Sequence, residues 1–129
     1  HRAMLDALAA TPLPGCALRP LVFEPTSNKW AGTPCTGFHL HVTDRGAFLP
    51  YRTSLALLQA MIRLHPDQFR YKEPPYEYEF ERLPMDLILG DSRLRQAIEA
   101  GENLLELEAG WQEELREFDR LRRRFFLYP

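Results

Sequence analysis

Eleven prolines and seven glycines divide this 129-residue chain into short segments, and they constrain its fold more than any other feature. Proline lacks the backbone donor that helices and central strands need, and glycine favours turns. The breakers concentrate in residues 11–15, in residues 24–37 and at Pro74 and Pro75. The chain is therefore expected to build its fold from short elements joined by irregular loops.

Two of the intervening segments have strand character. Residues 38–43 alternate, with Phe38, Leu40 and Val42 on one face and His39 and His41 on the other. The alternation predicts a strand whose apolar face enters the core. Residues 18–23 are rich in strand-favouring side chains, but Pro20 restricts them to a sheet edge. A third strand is predicted from the apolar and aromatic residues 125–128.

Four segments have helical character: residues 1–10, a segment capped by Thr53 or Ser54 and ended by Pro66, a segment from Ser92 to Gly101, and residues 103–123. Asn103 and Glu106 resemble a capping box at the start of the last helix. Its apolar residues recur at helical spacing and predict one buried stripe: Leu104, Leu107, Trp111, Leu115, Phe118 and Leu121. Together these patterns predict an α+β fold with three to four short strands packed against three to four helices.

Composition excludes several classes of protein. The chain is 45% hydrophobic and 26% charged, which is typical of a folded globular domain. A net charge of −2 gives no general attraction for nucleic acid, and no apolar run is long enough to cross a membrane. No signal peptide pattern is visible, and Cys16 and Cys35 do not define a redox compartment.

The histidine pair on the second strand allows two interpretations. Alternate positions place His39 and His41 on the same side of the strand, where two imidazoles can share a metal ion. A zinc site needs a third ligand, for which Asp44 and Cys35 are the candidates. The alternative is a polar strand face that lies in solvent or under another domain.

The flanking loops also carry candidate site residues. Lys29 and Trp30 have the chemistry to bind a sugar, through an aromatic face and a cation, or Trp30 fills the edge of the core. Asp44 and Arg45 either stabilise a turn or together hydrogen-bond a polar ligand. We expect these four residues to converge on one edge with the histidine face. The carboxylates Glu77, Glu79 and Glu81 alternate with aromatics and are expected to face water.

Beyond periodicity, an ordered series of short matches makes the chain similar to the C-terminal region of the exo-β-N-acetylmuramidase family, long classed as a domain of unknown function. The matches run through most of the chain: Pro14, Gly15, Arg19, Pro20, Phe23, Pro25, Thr26, Lys29, Gly32, Cys35, Gly37, residues 41–45, Phe48, Pro50, residues 73–101, Trp111, Phe118, residues 122–124, Leu127 and Tyr128. The departures are mild: Cys16 and Phe38 stand where small aliphatic residues are more usual, and Trp30 where tyrosine is.

The resemblance implies a two-domain enzyme that removes terminal N-acetylmuramic acid from peptidoglycan fragments. In that family a Rossmann-like N-terminal domain carries the catalytic carboxylates, and the C-terminal domain closes one side of the cleft. Residues 1–13 would then end the connection from the missing domain, and residues 14–129 would form a single α+β auxiliary domain.

The resemblance also carries expectations about activity and partners. The chain alone is expected to be inactive, to need no cofactor or metal, and to have as partners the catalytic domain of its own polypeptide and peptidoglycan fragments. The parent protein is expected in the periplasm, outside the cell or at the cell envelope. The expected substrate-binding residues are Lys29, Trp30, His39, His41, Asp44 and Arg45. A glycan-binding or packing module and a small metal-dependent enzyme are the alternatives.

Overall fold

The computed structural model describes residues 1–128 and shows an α+β protein, as the sequence predicts. The elements of that part of the chain are α1 (Arg2–Leu8), β1 (Cys16–Phe23), β2 (Cys35–Val42), α2 (Pro50–Leu64), α3 (Pro84–Leu89), α4 (Ser92–Glu99), α5 (Leu104–Arg122) and a 3₁₀ turn (Arg123–Phe125). They fall into two compact units, His1–Phe69 and the chain from Arg70 onward.

The first unit is built around an antiparallel hairpin of β1 and β2. The register pairs Cys16 with Val42 at one end and Phe23 with Cys35 at the other. Both strands begin earlier than the side-chain alternation predicts. Because the cysteines lie at opposite ends of the hairpin, they do not pair, and both are free thiols.

The core of the first unit lies on α2 and not on the sheet. Leu55, Ala56 and Ala60 are buried, and so is Leu8 of α1. The hairpin face predicted to enter the core is only partly buried, and Val42 is 45% exposed. A two-stranded ribbon has too little surface to form a core by itself, so helix packing supplies it.

The start of α2 differs from the prediction. The helix begins at Pro50, three residues before Thr53, because proline suits the first helical turn, where its missing N–H has no partner to lose. Thr53 is therefore inside the helix and 1% exposed. Its Oγ1 donates to the carbonyl oxygen of Leu49 at 2.8 Å. The end before Pro66 agrees with the prediction.

The second unit contains the three remaining helices. Asp91 caps α4 by accepting from the backbone N–H of Arg93 at 2.8 Å. Asn103 caps α5 by accepting from Leu105 N at 3.0 Å, and its amide contacts the Glu106 carboxylate at 3.3 Å. The predicted cap is confirmed. The core of this unit consists of Leu94, Ala97, Ile98 and Leu104.

The apolar stripe of α5 is buried only at its N-terminal end. Leu104 is 4% exposed, but Leu115, Phe118 and Leu121 are 51%, 60% and 50% exposed. The prediction of a continuous buried stripe is therefore wrong for the C-terminal half of the helix. Periodicity identifies which face of a helix is apolar, and it does not say what covers that face.

The count of elements also differs from the prediction. Among residues 1–128 the sheet has two strands, and the predicted strand at residues 125–128 is instead the end of the 3₁₀ turn and an irregular segment. Strand-favouring residues form a strand only where a partner edge pairs with them. Within the described residues there are five α-helices where three to four were expected, because α3 was not predicted. None of the described helices has the length and apolar character needed to cross a membrane.

Candidate functional site

The exposed face of the hairpin brings together one guanidinium and two imidazoles, those of Arg19, His39 and His41; we call it the hairpin face. The rings of His39 and His41 lie 4.2 Å apart between centroids at 38°, so the predicted placement on one side is confirmed. Arg19 pairs with His39 across the strands, and its Nη2 donates to His39 Nδ1 at 3.4 Å.

The arginine contact determines the hydrogen-bonding character of this face. A guanidinium can only donate, so Nδ1 of His39 is the acceptor in this contact. Arg19 has no carboxylate partner among residues 1–128. The hairpin face therefore presents donors and an uncompensated positive charge to solvent, which suits an anionic or hydroxyl-rich ligand.

The metal interpretation lacks its third ligand. Within residues 1–128 no group of three or more His, Cys, Asp or Glu side chains is arranged to hold a metal ion. Cys35 lies at the far end of β2, and Asp44 is used in a turn. Two histidines with an arginine as neighbour do not make a zinc site.

The loop between the strands holds Trp30 on the surface. Its side chain is 69% exposed, so the alternative that it fills the core edge is wrong. The loop is nonetheless hydrogen-bonded, with Gly32 N donating to Pro25 O at 3.0 Å and Thr33 N to Trp30 O at 2.9 Å. Asn28 and Trp30 adopt positive φ angles of 60° and 67°. An ordered backbone thus presents an aromatic ring, with Lys29 exposed beside it.

Asp44 and Arg45 occupy the turn after β2. Asp44 Oδ1 accepts from the backbone N–H groups of Gly46 at 2.8 Å and Ala47 at 3.2 Å, so this carboxylate stabilises the turn. Arg45 is exposed and has no ion-pair partner in the described part of the chain. Of the two interpretations, the turn aspartate is the one the geometry supports.

These residues do not converge on one edge. The loop with Trp30 joins β1 to β2, whereas Asp44 and Arg45 follow the other end of β2. An eight-residue strand extends about 23 Å at roughly 3.3 Å per residue, so the two groups lie at opposite ends of the hairpin. The hairpin face lies between them. The expectation of a single convergent cleft is therefore wrong.

Arg19 was not among the candidates from the sequence. The signal was present, because antiparallel pairing of two alternating strands places one arginine directly across from a histidine. The contact between Arg19 and His39 can be predicted only when it is known that the two strands pair and in which register. Side-chain periodicity within each strand does not give that information.

The second unit has its own charged cluster. Arg95 bonds Asp86 of α3 through Nε and Glu99 of α4 through Nη1, the latter at 2.8 Å. The Arg95 and Asp86 side chains are only 14% and 15% exposed. Burial and the neighbouring Glu99 raise the pKa of Tyr71 to about 12. Because one arginine engages both carboxylates, the cluster joins α3 to α4.

Glu79 does not have the simple water-facing role expected of it. Its Oε1 accepts from the backbone N–H groups of Glu81 at 2.9 Å and Arg82 at 3.2 Å, and Oε2 accepts from the Arg82 side chain at 2.8 Å. The bond from Glu81, followed by those from Arg82, lowers the pKa of Glu79 to about 2. The carboxylate therefore stabilises a turn over residues 79–82, directly after the backbone bridge between Tyr76 and Glu79.

Comparison with known proteins gives three matches. The family profile described as the C-terminal region of the exo-beta-N-acetylmuramidase NamZ matches residues 1–128. The peptidoglycan beta-N-acetylmuramidase NamZ of Bacillus subtilis (strain 168) is 28% identical over 123 residues, which cover 95% of this chain and 28% of that protein. A crystal structure of a DUF1343 family protein from Bacteroides fragilis NCTC 9343 has the same fold, with a TM-score of 0.75 and 20% identity, over 99% of this chain and 33% of that one.

Proposed function

The chain belongs to the family of C-terminal domains of NamZ exo-β-N-acetylmuramidases, and on that premise we propose that it is the non-catalytic part of a peptidoglycan glycosidase and forms one wall of the substrate cleft. It spans 28% of the length of the Bacillus subtilis relative. In this proposal residues 1–13 end the connection from a catalytic domain, and residues 14–129 form the auxiliary domain.

The observation that carries the cleft-wall role is the hairpin face. An exposed arginine and two histidines without a compensating carboxylate fit a ligand with carboxylate and hydroxyl groups, and N-acetylmuramic acid has both. The exposed ring of Trp30 offers a flat apolar surface on which a pyranose can stack. Lys29 beside it supplies a second cation.

The length of the hairpin limits how these groups share a substrate. A single sugar is much shorter than the roughly 23 Å that separate the two ends of β2. The proposed binding residues therefore serve different parts of an extended glycan. His39 and His41 contact its middle, while Lys29 and Trp30 lie at one end and Arg45 at the other, on the turn that Asp44 stabilises.

The isolated chain is proposed to have no glycosidase activity. The acidic residues Asp86, Glu99 and Glu79 are all held in ion pairs or turns. Glycosidases need two carboxylates flanking one bond, one of them with a raised pKa. A chromogenic N-acetylmuramic acid substrate should stay intact with this chain alone. Turnover that survives repurification and is lost on replacing an acidic residue of this chain would refute the assignment.

Kinetics of the longer polypeptide test the cleft wall. His41→Ala and Arg45→Ala should each lower kcat/KM, while the stability of the first unit stays within about 1 kcal/mol of the parent because both side chains are exposed. Arg63→Ala is the matched control, since Arg63 is also an exposed arginine but belongs to α2 and not to the hairpin or its loops. Normal kinetics in all three variants would place the cleft on another surface.

A further inference from the structure

The C-terminal half of α5 exposes a long apolar surface that the second unit does not cover. Leu115, Phe118 and Leu121 of α5 and Phe125 of the following 3₁₀ turn recur at three- and four-residue spacing; we call these four residues the α5 stripe. They are 50% to 74% exposed. The same spacing leads back to Leu104, which is buried, so the stripe is the continuation of a core-forming face.

Many of the charged residues in this half of the helix lie away from the stripe and pair with one another. Glu113 pairs with Arg116 and Arg120, and Asp119 pairs with Arg122 at 2.6 Å and Arg123 at 2.7 Å. A helix with ion pairs on one side and large apolar residues on the other is built to be covered on the apolar side. Contiguous apolar patches of this kind mark interaction surfaces.

We propose that the α5 stripe is the surface on which the catalytic part of the same polypeptide docks; the inference rests on the proposed function. About 28% of the Bacillus subtilis relative is matched by this chain, so most of such a polypeptide lies outside it. A covalently connected domain meets the stripe at an effective concentration in the millimolar range, which a separate partner seldom reaches. In this proposal α5 forms the interface with the catalytic domain, and the hairpin face binds the substrate.

Cysteine labelling tests the proposal without depending on activity. Phe118→Cys places a thiol on the α5 stripe, and Arg120→Cys places one on the polar face of the same helix, where the arginine side chain is 70% exposed. Each variant is made in the 129-residue chain and in the longer polypeptide. Maleimide labelling is followed by peptide mass, so that Cys16 and Cys35 are counted separately.

The stripe thiol should react about tenfold more slowly in the longer polypeptide than in the 129-residue chain, because a covered side chain reacts only through local opening. The polar-face thiol should react equally fast in both. Equal rates for the stripe thiol in both proteins would overturn the proposal. Protection in the 129-residue chain that grows with protein concentration would also overturn it, by identifying a second copy as the occupant.

The two proposals fail separately in this design. A longer polypeptide that hydrolyses the muramic acid substrate but leaves the stripe thiol reactive refutes only the docking surface. One that protects the thiol but shows no glycosidase activity refutes the function and leaves the docking surface supported.

Discussion

Two isoleucines of the second unit allow its core to be tested with a matched pair. Ile98 on α4 is 1% exposed, and Ile88 on α3 is 61% exposed. Replacement by alanine removes the same three carbons at both positions. At about 0.8 kcal/mol per buried methylene the loss at Ile98 is about 2.4 kcal/mol, and the remaining cavity brings it into the range of about 2 to 5 kcal/mol. At Ile88 the change should stay within about 0.5 kcal/mol.

Tryptophan fluorescence can follow the unfolding of the second unit alone. The chain has two tryptophans, and Trp30 lies in the first unit, so a Trp30→Phe background leaves Trp111 as the only reporter. Urea unfolding should show a lower midpoint at unchanged slope for Ile98→Ala and a midpoint near that of the parent for Ile88→Ala. Equal midpoints for the two variants would refute the assignment of Ile98 to the core.

Two further predictions concern the turns. Gly32→Ala should lower the free energy of unfolding by about 1 kcal/mol, because φ is +73° but nothing lies within 4 Å of the added carbon. Gly15→Ala should lower it by at least about 3 kcal/mol, because the added Cβ would strike Asp44 O and come within 2.5 Å of Phe48 N. Thermal unfolding of both variants measures the difference. Glu79→Gln should destabilise the protein at neutral pH. Because the pKa of Glu79 is lowered to about 2 in the folded protein, the difference in stability between variant and parent should persist above pH 4.5 and disappear as the pH falls to about 2. Glu81→Gln is the control. A difference that stays constant down to pH 2 would contradict the turn role of Glu79.

Sequence patterns correctly predicted the features that depend on interactions between residues close together in the chain. Alternation placed His39 and His41 on one side of a strand, Asn103 was a correct cap, and Pro20 lies in an edge strand, as expected. In each case the deciding interaction is within a few residues along the chain. The family, which no single pattern reveals, was predicted from the order of many short sequence matches.

The features that were not predicted depend on partners distant in sequence. The exposure of Phe118 depends on what lies against α5, and the separation of Trp30 from Arg45 depends on β1 pairing with β2. The α3 helix had usable signals, with Pro84 at its first position and Gly90 just after its end. Six residues were too few for periodicity to reveal it.

Pro20 has a consequence for how the protein behaves at high concentration. Thr43 N donates to Gly15 O, so these two residues form a hydrogen-bonded pair. Hydrogen-bonded and non-hydrogen-bonded pairs alternate along an antiparallel hairpin, and Pro20 and Phe38 therefore form a non-hydrogen-bonded pair. The nitrogen of Pro20 therefore faces the outer edge of β1, where it interrupts the row of donors that a strand from a neighbouring molecule would need. Proline at this position is therefore expected to disfavour pairing of a neighbouring strand with the outer edge of β1, and it removes no hydrogen bond from the hairpin itself.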